Sequence, residues 1–140
     1  MSDSIKLQRS FSAPRALVFE VWSKPEHFMR WFAPNHYDIP RCDMDFRVGG
    51  SFRAIMRGMG MEHGFGGTYV EIVPNERIRW VGRIDGLDQD MTTTVTFADD
   101  GKKTLVTVEQ TVPMNPMMAA GQREGWGQTL DHLAEHAEVL

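Results

Sequence analysis

Cysteine is almost missing from this chain. The single residue, Cys42, excludes an internal disulfide and suits a reducing cytoplasm, so the fold must rest on its apolar core. Positive charge is also short: 15 lysines and arginines stand against 19 acids, a formal net charge of −4. No basic stretch exists to neutralise phosphates, which excludes a general nucleic-acid binder. No apolar run approaches the ~18 residues of a membrane span, and the polar start MSDSIKLQR does not read as a signal peptide. The expectation is a cytoplasmic protein. Repeats, linkers and low-complexity tracts are absent too, which leaves one domain over residues 1–140.

What is present is periodicity. Residues 4–12 alternate, with Ile5, Leu7 and Phe11 on one side and Arg9 as the exception there. Ser12 and Pro14 open a helix whose inner face is Leu17, Val18, Val21 and Trp22, with Ser12 as its cap. Pro25 starts a second short helix carrying Phe28, Trp31 and Phe32. From Ile39 the period becomes two. Cys42, Met44 and Phe46 face one way, then Phe52, Ala54 and Met56 after a Gly49-Gly50 turn, against Arg41, Asp43, Arg53 and Arg57. Residues 58–67 are rich in glycine and read as a loose hairpin connection, with a lid at a cavity mouth as the alternative to a plain connection. Strands follow at 68–73, 77–82, 91–97 and 104–112, the last with Val106, Val108 and Val112 inward, and Pro113 closes the sheet.

Residues 116–140 read as one long helix. Trp126, Leu130, Leu133, Ala137 and Leu140 are spaced 4, 3, 4 and 3 apart and form a narrow stripe. Beside it runs a strip of Met118, Gly121, Gly125 and Thr129, with Gln122 at its edge. Glycine inside a helix costs ~1 kcal/mol relative to alanine, so Gly121, Gly125 and Gly127 need a reason. Close packing on the sheet is one, a hollow for a ligand the other. The element order makes an α+β chain, with helices on one face of an antiparallel sheet.

Several strings carry a family resemblance. They are Ala13-Pro14 with Val18-Phe19, Trp22, Pro25-Glu26, Trp31-Phe32, Val48-Gly49-Gly50-Ser51-Phe52-Arg53, Gly67-Thr68-Tyr69-Val70-Glu71-Ile72-Val73-Pro74, Glu76-Arg77-Ile78 and Gly125-Trp126. Their order resembles the activator of heat-shock-protein-90 ATPase homologue-like family, within the START/SRPBCC, or birch-pollen-allergen-like, superfamily. The resemblance implies a helix-grip fold. A bent antiparallel sheet of about six to seven strands wraps a long C-terminal helix, with two short helices after the first strand. It also implies a hydrophobic cavity between sheet and helix, used across the superfamily to bind, cyclise or sequester apolar compounds or, in some members, accompanied by stimulation of a chaperone ATPase. The matched strings are turns and core positions, and they name no reaction.

The chemical motifs weigh little. His132-Leu133-Ala134-Glu135-His136 matches an inverted zinc-protease pattern, but a zinc site needs a third protein ligand and only four residues follow, so it reads as a solvated helix end. Cys42 reads as a small hydrophobe. His36, Glu62 and His63 are joined to no nucleophile. No metal, cofactor or catalytic residue is expected. The ten methionines say more, because methionine repacks around varied guests. The expected wall is Met44, Phe46, Phe52, Ala54, Met56, Ile78, Trp80, Met91 and Val95. Met118, Gly121, Gln122 and Gly125 are added from the helix, and Tyr69 and Trp31 at the mouth. Trp126 is expected to be structural and not a ligand contact. The function expected is binding of a small hydrophobic molecule without transforming it. A chaperone-interaction protein and a cyclase- or hydrolase-type enzyme are the alternatives, and a chaperone or a second copy of the chain the other candidate partners.

Overall fold

The computed structural model describes residues 3–86, 89–112 and 116–140, and at 3, 112 and 116–118 the backbone only. Seven strands and three helices follow in order: β1 (Asp3–Phe11), α1 (Arg15–Ser23), α2 (Pro25–Trp31), β2 (Tyr37–Met44), β3 (Ser51–Gly58), β4 (Met61–Val73), β5 (Arg77–Ile84), β6 (Met91–Asp100), β7 (Lys103–Val112) and α3 (Pro116–Ala137). The strands form one antiparallel sheet in the order β1-β7-β6-β5-β4-β3-β2. This is the expected α+β helix-grip architecture.

Side-chain alternation sets the inner face. On β6, Met91, Thr93, Val95 and Phe97 are buried while Thr92, Thr94 and Thr96 are partly exposed between them. On β3, Phe52 and Ala54 are buried and Arg53 and Arg57 exposed, as the parity required. On α3, the stripe of Trp126, Leu130, Leu133 and Ala137 is buried, with Ala134 beside it. Trp22 of α1 sits at the centre, stacked on Trp126 at 6.1 Å and edge-on to Trp31 at 4.6 Å and Phe97 at 6.1 Å. Arg9, the misfit on the inner side of β1, pairs with Asp131 of α3 and lies 5.8 Å over the Phe11 ring.

Four local expectations need correction. Residues 58–67 are not a loose connection: β3 and β4 form a tight hairpin, in register from Gly58↔Met61 to Ser51↔Thr68. Met59 (φ 54°) and Gly60 (φ 76°) make its two-residue turn, the left-handed pair that matches strand twist. Ser12 does not cap α1; Pro14 is the N-cap, and the Ser12 amide donates to the Glu138 carboxylate at 2.7 Å. Leu140 lies past the end of α3 and is exposed. Trp31 is not at a mouth but buried, its Nε1 donating to the Val21 carbonyl at 2.8 Å. Pro113 lies outside the described residues.

Candidate functional site

Strand register explains where the hollow forms. Phe52 pairs with Gly67, Gly67 with Gly82, and Gly82 with Met91, so this row across β3–β6 has no side chain at its two middle positions. The bent strands approach there so closely that a Cβ on Gly67 would lie 2.8 Å from the Gly82 Cα. Only glycine fits. Above the row lies α3, where a Cβ on Gly121 would meet nothing within 4 Å and one on Gly125 only Pro34 Cβ, at 4.0 Å. Close packing is therefore not why these helical glycines are there. The result is a cavity of about 230 Å³, partly open to solvent.

Each wall comes from a different element. Phe52, Met56, Phe65, Trp80 and Met91 supply apolar side chains from the sheet. Phe32 and Pro34, just after α2, close one side, and His63, Arg83 and Ile84 also line the wall. The helix adds Gly121, Gln122, Gly125, Trp126 and Thr129. Below it, a separate apolar void of about 10 Å³ among Trp22, Phe28, Phe52, Tyr69, Ile78 and Trp80 is too small for a guest.

One buried polar group of side chains interrupts the apolar wall. The next row of the sheet runs Trp80↔Thr93↔Gln110, which sets the threonine and glutamine side by side. Gln110 Nε2 donates to Thr93 Oγ1 at 2.8 Å, and Trp126 Nε1 donates to Gln110 Oε1 at 3.2 Å. All three residues are buried and line the cavity, as does Thr129.

Of the expected wall, Phe52, Met56, Trp80, Met91, Gly121, Gln122 and Gly125 line this cavity. Met44, Phe46, Ala54, Ile78 and Val95 do not: they face inward but pack in the core, Ala54 against Ala33 and Ile39. Tyr69 is buried beside the small void instead of at the mouth. The side chain of Met118 lies outside those described. Trp126 packs in the core through its stack on Trp22, but it lines the cavity as well, against the expectation that it stands away from a ligand. The parity that put Val106 and Val108 inward also points Gln110 inward, so that residue was within reach of the pattern. Phe32, Pro34 and Phe65 were not.

The remaining candidate chemical groups do not assemble into one site. His132 and His136 do not converge. His132 Nδ1 lies 2.7 Å from the Ala33 carbonyl, and His136 Nε2 2.9 Å from His27 Nδ1. Among the described residues no three His, Cys, Asp or Glu side chains are grouped to hold a metal. Burial, with Asp43 adding to it, pushes the Cys42 thiol up to about 11, so it is no thiolate nucleophile at neutral pH. Burial, and then Cys42, likewise holds the Tyr69 phenol above its usual range.

The sequence pattern of the family described as Activator of Hsp90 ATPase homolog 1-like protein matches residues 12–138. This chain belongs to that family. Protein CV1439 from Chromobacterium violaceum is 34% identical over 96% of both chains, with a TM-score of 0.87. Protein NE0264 from Nitrosomonas europaea is 26% identical over 94% of this chain and 92% of its own, at 0.81. The fold persists further out: the AHSA1 (SPO3351) protein from Silicibacter pomeroyi has a TM-score of 0.83 at 16% identity, covering 95% and 96%. Among proteins of curated function, none matches this chain. Among the described residues, no helix is long and apolar enough to cross a membrane.

Proposed function

We propose that this member of the Activator of Hsp90 ATPase homolog 1-like family binds a small, mostly apolar molecule between sheet and α3 and does not transform it. The observation that carries the reading is the hollow itself, lined by Gly66 and Gly82 in the sheet and by Gly121 and Gly125 in the helix. Glycine at two interior helix positions over open space costs stability, and a ligand site gives that cost a use. The volume of about 230 Å³ limits the guest. Drug-sized sites span ~300–1,000 Å³. A dry cavity of ~150 Å³ already takes benzene. One substituted ring or two fused rings fit between these bounds. Affinity would come from apolar area, at ~25 cal/mol per Å² removed from water.

The test is uptake of a small environment-sensitive dye, with native mass spectrometry of what co-purifies. The parent protein takes up dye, and Gly125→Leu, whose side chain enters the hollow, folds normally and takes up little. A parent that takes up no dye and carries no small molecule overturns the reading. The family description favours a second reading, stimulation of a chaperone ATPase, and a purified Hsp90 ATPase assay would read it directly.

A further inference from the structure

The buried polar side chains of the cavity are arranged in one direction. Indole Nε1–H can only donate, so Trp126 fixes the Gln110 carbonyl oxygen on its own side and turns the amide NH₂ toward Thr93. The Thr93 hydroxyl must then accept from Gln110, and its own hydrogen has no acceptor among the described residues. Thr93 is 1% exposed and is one of the residues lining the cavity, so a guest seated in the hollow is where that hydrogen can find an acceptor. Thr129, 4% exposed on the facing helix, makes no side-chain hydrogen bond among the described residues and lines the same space. A buried hydroxyl hydrogen left without an acceptor is costly, and a chain of bonds polarised the same way strengthens its terminal donor.

We propose that the natural guest carries a neutral oxygen acceptor, a ketone- or ester-like carbonyl on a one- or two-ring apolar body, received by the Thr93 hydroxyl and oriented through Gln110 and Trp126. The acceptor is neutral because, among the described residues, the cationic or basic side chains that line the cavity are Arg83 and His63, neither of which is buried as Thr93 is. Arg83, the one guanidinium lining the cavity among the described residues, is over half exposed and paired with Asp90. A carboxylate at Thr93 would be desolvated without a counter-charge. The inference rests on the binding reading above and adds its chemical class.

The experiment compares 1-indanone with indane, the same skeleton with and without the carbonyl. Each competes against the dye, in the parent and in Thr93→Val. The ratio of ketone to hydrocarbon affinity should fall about fivefold in Thr93→Val, the worth of one neutral hydrogen bond. The infrared carbonyl stretch of bound 1-indanone in the parent should sit below its position in a hydrocarbon solvent. Where Thr93→Val does not fold, that band decides alone: shifted supports the inference, unshifted overturns it. An unchanged ratio with an unshifted band overturns the carbonyl assignment and leaves the binding reading standing. Dye uptake with no competition by 1-indanone does the same. Absence of dye uptake and of both probes overturns the binding reading itself.

Discussion

The two halves of α3 lie over the same sheet and do opposite things. From Leu130 to Ala137 the helix buries Leu130, Leu133, Ala134 and Ala137 to 3% exposure or less. From Gly121 to Gly125 it stands over open space. The sheet beneath differs in the same sense. Rows such as Ile78↔Val95↔Val108 carry a side chain at every position, all of them in the buried core, whereas the Phe52, Gly67, Gly82, Met91 row is empty at its centre. One fold thus holds a packed end that supplies stability and a hollow end that supplies a site. Trp126 is the boundary, touching Trp22 on one side and the cavity on the other.

If that division is right, the largest losses come from the packed end. Leu133→Ala should cost ~2–5 kcal/mol of unfolding free energy in a denaturant melt, and dye uptake by the folded fraction should persist. A loss below ~1 kcal/mol would mean that this end is as loose as the other.

Ala134→Leu sharpens the contrast with Gly125→Leu, because the same side chain enters each half. At Ala134 it overfills a closed core and should cost ~1–3 kcal/mol, whereas at Gly125 the melting temperature should stay near that of the parent. Equal melting temperatures for the two variants would erase the distinction. Gln110→Leu probes the boundary. It strands the Trp126 indole N–H and removes the donor to Thr93, for an expected cost of ~1–3 kcal/mol in the same melt.

Gly121→Ala reverses the sign. Its Cβ meets nothing within 4 Å, so the variant should gain up to ~1 kcal/mol from helix propensity and show no loss of folding.

The smallest effect concerns pH at the packed end, where His136 of α3 meets His27 of α2 at 2.9 Å. Burial first, then the charges of His27 and Arg30, hold the His136 pKa below its ordinary 6.5. Below that value the unfolded chain binds more protons than the folded one, so this contribution is present above about pH 6.5 and is lost as pH falls through the folded pKa. Melting temperature should decline modestly from pH 7 to pH 5.5, and His136→Gln should flatten that decline. A parent whose melting temperature is level over this range would remove the histidine pair from the account.

Much of this was legible beforehand. Period-two alternation made Phe52, Ala54, Met91, Thr93 and Val95 inward residues from the string alone, because successive strand side chains must point to opposite faces. The 4-3 spacing likewise selected Trp126, Leu130 and Leu133 on α3. The glycines of residues 58–67 misled. Their density resembles a loose loop, yet Gly60 makes the hairpin turn, and partners on β3 and β5 hold Gly66 and Gly67 in β4, where close backbone approach makes glycine necessary. Gln110 was visible by parity but hidden in a valine-rich strand.

The sequence by itself determined which side of each strand and helix faces inward, because that depends on backbone geometry over a few neighbouring residues. Only the tertiary structure decided which inward residues fill the core and which line the hollow. Met44, Phe46 and Val95 share their parity with Met56, Phe52 and Thr93, and nothing in the local pattern tells the two sets apart. The difference lies in cross-strand register, which sets Gly67 beside Gly82 and Thr93 beside Gln110. It lies equally in the seating of α3, which brings Gly121 and Gly125 to the hollow and Leu133 into the core. Register and helix placement join residues tens of positions apart, so no window along the chain contains them.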